Sequence, residues 1–185
     1  MKPTDSKAIR GVTIGAKKNR EEVFMYPRNV VKKLLDLRRI PHEHRVHPTA
    51  ITAQQVAAAE RIPGTVVAKT VVVKADNQFV MAVLPASAKV DFPVLRETLR
   101  AKELRLAKEA ELESLFPDSE VGAMPPFGNL YGLPIYADES LAGDRAILFN
   151  AGTHRDAIRM SYPDFARLAE PQICSFAARP RTRSS

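Results

Sequence analysis

The sequence has no tryptophan, one cysteine and no long apolar run. A single cysteine, Cys174, rules out an internal disulfide framework and any cysteine-rich zinc site. It fits a reducing compartment, so a cytoplasmic location is expected. Its context, "QICSFA", is apolar and predicts a buried, inert thiol. No stretch approaches the roughly 18 apolar residues of a membrane span. The basic N-terminus lacks the apolar core of a secretory signal. Also missing are the G-x-x-x-x-G-K-S/T loop, the G-x-G-x-x-G turn, the H-E-x-x-H helix and a nucleophile elbow. Phosphate cradling, zincin chemistry and a serine or cysteine nucleophile therefore have no support. An enzyme of this sequence would activate water or a substrate group.

Histidines are few as well. His42, His44 and His47 cluster in "PHEHRVH", but strand alternation puts His42 and His44 on one face and His47 on the other. Surface histidines are the expectation, with no metal and no cofactor.

What is present is a chain of 185 residues, 45% of them apolar, enough for one domain with a real core. Its net charge of +7 is uneven. Residues 1–33 hold nine basic and three acidic residues, and the tail from Arg179 adds three arginines. Residues 34–178 hold sixteen basic against eighteen acidic residues, so the positive excess sits at the two ends. Basic ends of this kind contact phosphate backbones or serve as solvated tails.

Residues 1–27 lack periodicity and read as an arm. "RNVVKKLLDLRRI" has helical spacing that Pro41 ends. "HEHRVH" reads as a strand, and Thr52 with Gln55 forms a capping box ahead of "AQQVAAAERI". "TVVAKTVVVKA" and "QFVMAVLPA", separated by "DN", read as a β-hairpin buried on both faces. Asp91 caps a helix to about Arg100, and another covers roughly 107–116. "LPIYAD", "RAILFN" and "DAIRMS" are strand candidates, and Ser161 with Asp164 caps a last helix. This irregular mixture predicts an α+β fold with a mixed sheet.

Three features carry chemistry. Lys69 lies inside the apolar strand "VVAKTVVV", where an ammonium is costly unless it snorkels, pairs or serves a site. The loop "EVGAMPPFG" combines a Gly122-to-Pro126 G-x-x-x-P pattern with Gly128. Its stiff bend presents the amides of Gly122, Ala123, Met124, Phe127 and Gly128 to a carbonyl oxygen or an oxyanion. "FNAGTHRDAIRM" places Thr153 and His154 after a turn at Gly152.

In this order and spacing, "VAKTVVV", "EVGAMPPFG", "LPIYAD" and "FNAGTHRDAIRM" resemble the YbaK-like family, related to the editing domain of bacterial prolyl-tRNA synthetases. The resemblance spans residues 28–178, between the arm (1–27) and the tail (179–185). It implies a curved, barrel-like mixed β-sheet with flanking helices. It also implies a trans-editing hydrolase that deacylates mischarged aminoacyl-tRNA, with help from the terminal ribose hydroxyl and without a metal. The expected substrate carries a small amino acid such as alanine or cysteine, on proline tRNA or a related one, and an aminoacyl-tRNA synthetase is a second expected partner. The alternative is a non-catalytic module that binds an aminoacyl group, a nucleotide or tRNA in the same pocket. By this resemblance Lys69, Gly122 and His154 are catalytic candidates. Thr70, Ala123, Met124, Pro126, Phe127, Gly128, Gly152 and Thr153 are substrate-binding candidates.

Overall fold

A computed structural model describes residues 30–178. The expected N-terminal arm (1–27) and C-terminal tail (179–185) lie outside the described residues. The first helix, α1 (Val30–Leu37), buries Val31 and Leu35 one turn apart and ends at a turn where Arg39 takes φ +53°. β1 (His42–Val46) follows, then α2 (Ala53–Glu60). The capping box of α2 forms as its sequence predicts: Thr52 Oγ1 accepts from Gln55 N, and Gln55 Oε1 accepts from Thr52 N and Ile51 N.

β2 (Ala68–Ala75) and β3 (Gln78–Pro85) form the predicted hairpin, with Asp76 at its turn in a left-handed conformation. β4 (Lys89–Val90) leads into α3 (Phe92–Thr98), which Asp91 caps at Val94 N. β5 (Leu104–Leu106), α4 (Glu109–Leu115), β6 (Ile135–Asp138), β7 (Ala146–Asn150) and β8 (Asp156–Ser161) come next. α5 (Tyr162–Ala169), capped by Ser161, precedes β9 (Gln172–Cys174) and β10 (Ala177–Ala178).

The main sheet has the order β5-β2-β3-β6-β9, antiparallel from β5 to β3 and parallel beyond. A second, antiparallel sheet has the order β1-β8-β7. The two meet just before β2, where Leu148 N donates to Val66 O and Ala86 N to Val67 O. The result is a mixed α+β fold with curved sheets that meet without a closed barrel being formed. The main sheet is covered on both faces. Ala68 and Val72 face the large core with Phe127, Phe149 and Phe165, while Val71 and Val73 face Leu95 and Phe176. That double burial is why the hairpin reads as two nearly continuous apolar runs.

The expectation of surface histidines needs correction. His47 is buried at 6% exposure, and only 10% of the His42 side chain is exposed, because each Nδ1–H donates to a nearby carbonyl, Pro48 O and Ile40 O. His44 Nε2 lies 2.7 Å from Asp156 Oδ1, and His42 Nε2 lies 3.5 Å from Asp36 Oδ1. The strands β4, β5, β9 and β10 had no sequence signal, since each has only two or three residues. Cys174 is half-buried rather than buried as its apolar context predicted, and burial with the nearby Asp138 and Glu139 carboxylates pushes its thiol up to about 11.

Asp138, at the end of β6, ties down the C-terminal strands. Its carboxylate accepts from Phe176 N, Ala177 N, Ser140 N and the Ser140 hydroxyl. Burial alone would raise its pKa, but these donors hold it below the usual carboxylate value. Asp138→Asn is expected to lower stability at pH 7 by about 1–3 kcal/mol, because one amide oxygen cannot serve all four donors. A depressed folded-state pKa gives stability that is present above the unfolded value of about 3.9 and is lost as pH falls through the folded value. The deficit of the variant should therefore shrink in acid. Thermal melts at pH 7 and pH 3 check this, and an equal deficit at both would refute it.

Candidate functional site

A cavity of about 140 Å³ opens where α2, the start of β2, the end of β7 and the loop after α4 converge. Of the residues singled out in the sequence, Lys69, Thr70, Gly122 and Met124 line it. So does Asn150, the last residue of β7, which sequence reasoning missed. Ile51, Thr52, Val56 and Val67 close the apolar side.

Lys69 is half-buried, and its ammonium donates to Ala88 O. Burial lowers its pKa, and the neighbouring Lys89 lowers it further. Among the described residues no carboxylate lines the cavity, and Lys69 forms no ion pair.

The loop takes its shape from a clasp to the turn after β7. Glu120 N donates to Gly152 O (2.8 Å), and Gly152 N donates to Ala123 O (3.0 Å). His154 N donates to the Glu120 carboxylate (2.7 Å), and His154 Nε2–H donates to Val121 O (3.0 Å). Gly122 and Gly152 sit at φ +89° and +98°, a region that glycine reaches without strain. The clasp holds Gly122 at the cavity edge.

The loop presents fewer amides than the sequence suggested. Ala123 N is bound to Glu120 O and Phe127 N to Pro125 O. Gly122 N donates to Met124 Sδ (3.1 Å), a weak acceptor that a carbonyl oxygen can displace. Met124 N has no hydrogen-bond partner among the described residues. Ala123, Pro126, Phe127 and Gly128 are buried behind the cavity rather than lining it. The Phe127 ring packs against Phe149 and Phe165, and a Cβ on Gly128 would come within 3.1 Å of Leu133 O.

Gly152 and Thr153 build the turn, with Thr153 Oγ1 donating to Asp156. The His154 ring packs behind Gly122, with Cε1 3.5 Å from the position a Cβ would take there, and it does not line the cavity. Among the described residues, four buried polar side-chain atoms have no partner: Thr70 Oγ1, Asn150 Oδ1, His154 Nδ1 and His47 Nε2. The first two belong to cavity-lining residues, as expected of a site that awaits a polar ligand.

Residues 47–168 match the model of the aminoacyl-tRNA editing domain family. The chain belongs to this family. Within it, the chain is 32% identical over 102 residues to the multifunctional Ser/Thr-tRNA deacylase ProXp-y of Escherichia coli (strain K12), a match that covers 54% of this chain and 60% of that one. It is 30% identical over 109 residues to the proline–tRNA ligase of Heliobacterium modesticaldum, covering 58% of this chain and 19% of the ligase. The editing-domain fold is shared with a crystal structure of a candidate trans-editing enzyme for prolyl tRNA synthetase (TM-score 0.71, 21% identity, 80% and 94% of the two chains). A second solved relative in fold is the hypothetical protein APE2540 (TM-score 0.73, 16% identity, 80% and 99%). The chain thus spans about three-fifths of the E. coli deacylase. Among the described residues no helix is long and apolar enough to cross a membrane.

Proposed function

We propose that this chain is a trans-editing aminoacyl-tRNA deacylase that hydrolyses the ester of a mischarged tRNA bearing a small amino acid. The observation that carries this reading is the convergence of Lys69, which has no ion-pair partner among the described residues, with Gly122 and Met124 of the loop around one small cavity. An aminoacyl ester is already activated, so orientation, oxyanion support and a placed water suffice. Water oxygen attacks the ester carbon, the carbonyl oxygen takes the negative charge, and the bond to the ribose oxygen breaks. The ribose oxygen gains the proton that the water loses. Lys69 stands by the terminal phosphate or the developing oxyanion, and Gly122 N–H and Met124 N–H stand by the carbonyl oxygen. His154 holds the loop from behind through Val121.

Alanine and cysteine are the smallest side chains that the cavity would take, and we assign the rejection of proline to the shape of its ring rather than to its volume. The unpartnered Thr70 hydroxyl extends the set to serine and threonine, the amino acids in the name of the E. coli relative. Incubation with alanyl-, cysteinyl-, seryl- and threonyl-tRNA should release free amino acid from at least one. If none is released while tRNA still binds, the chain is the non-catalytic binding module instead.

We also assign the basic ends to tRNA affinity rather than amino-acid choice. β10 pairs with β4 so that Ala178 lies opposite Lys89, next to the Ala88 carbonyl that receives Lys69. Arg179, Arg181 and Arg183 follow Ala178 in the sequence. Deleting 1–27 and 179–185 is expected to weaken tRNA binding and to flatten the slope of log affinity against log salt by about one or more. Amino-acid preference should be unchanged. An unaltered slope would make the ends solubilising tails.

A further inference from the structure

We propose that Asn150 is a further catalytic residue, whose side-chain amide donates to the ester carbonyl oxygen as it becomes an oxyanion. The proposal rests on the deacylase reading above. Asn150 is only 9% exposed, yet it lines the cavity with Lys69, Thr70, Gly122 and Met124. Its Oδ1 is sealed from solvent without a partner, and Nδ2 makes no hydrogen bond to any described residue. A carboxamide whose oxygen is sealed without a partner is costly to keep, and its nitrogen stays available as a donor. The fold has no need of this side chain: Leu148, on the same face of β7, packs into the small core under α2, and an apolar residue at 150 would continue that run.

Position supports the role. Asn150 is fixed by β-pairing to Ala157 and is followed at once by the turn that clasps the Gly122 loop. Its backbone therefore cannot move independently of the loop amides. The cavity wall offers donors and no carboxylate, a composition that suits carbonyl and phosphate oxygens better than an ammonium group. A neutral donor in such a place needs no reorganisation when charge develops on the carbonyl oxygen. The carbon–oxygen bond that breaks and the proton that moves are those of ordinary ester hydrolysis, so Asn150 neither gains nor loses an atom.

The test uses Asn150→Leu, which keeps the shape without a donor, and Asn150→Asp, which keeps an acceptor without a donor. The single-turnover rate is read on alanyl-, seryl- and threonyl-tRNA, and binding on a tRNA carrying the same amino acid through a non-hydrolysable amide. Both variants are expected to lose roughly 10- to 100-fold in rate, the range for losing one hydrogen bond to a charged group, with affinity for the amide within threefold. An active parent with either variant within threefold of its rate overturns the assignment alone. An affinity loss as large as the rate loss also overturns it, since Asn150 would then bind ground state and transition state alike. A parent that releases no amino acid overturns the deacylase reading, and this assignment with it.

Discussion

Lys69→Ala is expected to slow single-turnover deacylation by roughly 30- to 1000-fold while leaving the melting temperature unchanged or slightly higher. The rate loss corresponds to about 2–4 kcal/mol, the scale of one electrostatic donor in a preorganised site. The ammonium is half-buried, its pKa is lowered by burial and by Lys89, and no carboxylate lines the cavity to offset it. Folding therefore gains little from the charge. One contact is lost, from the ammonium to Ala88 O, and removal of a desolvated charge offsets it. A lysine that merely snorkels at a strand edge gives the opposite result, a rate within threefold of the parent, and that would end the catalytic role of Lys69. Lys69→Met keeps most of the apolar stem and separates loss of charge from loss of packing. Its rate should fall as far as that of the alanine variant.

Gly122→Val should reduce turnover by roughly 10- to 100-fold, from backbone strain of about 1–3 kcal/mol carried by a β-branched residue at positive φ. Space for the first carbon is not the difficulty. A Cβ there would lie 3.5 Å from His154 Cε1, an ordinary contact. The cost comes from φ +89°, and relief of that strain would turn the Gly122 and Met124 amides away from the cavity. Gly122→Ala should fall between parent and Gly122→Val. Met124→Leu should be mild, since it removes only a weak N–H···S contact and preserves the amide. Single-turnover deacylation with parallel melting reads all three. A folded, fully active Gly122→Val would remove the loop from the mechanism.

Much of this fold is legible because local signals agree with the tertiary structure. Thr52, Asp91 and Ser161 cap the helices that their spacing predicts. The hairpin is readable because both faces of its strands meet apolar layers. The short strands are not, because two or three residues carry no period and are fixed by partners such as Asp138. The site divides in the same way. Lys69 and Gly122 stand out as a charge in an apolar run and a glycine in a stiff loop. Asn150 does not, because an asparagine at the end of a strand also reads as the start of a turn, and only the fold shows that its carboxamide is buried and unused. Phe127 and Gly128 share a motif with Gly122 yet serve the core, a division that spacing cannot reveal.

Single-turnover release of amino acid from one proline tRNA, charged in turn with alanine, cysteine, serine, threonine and proline, tests the central claim most directly. The cavity beside Lys69 predicts release of at least one small amino acid, at a rate at least about tenfold above that of proline, the lower range of steric discrimination. Lys69→Ala should abolish that difference by slowing the favoured ester. No release from any of the five, or release of proline as fast as of the small amino acids, would contradict the account.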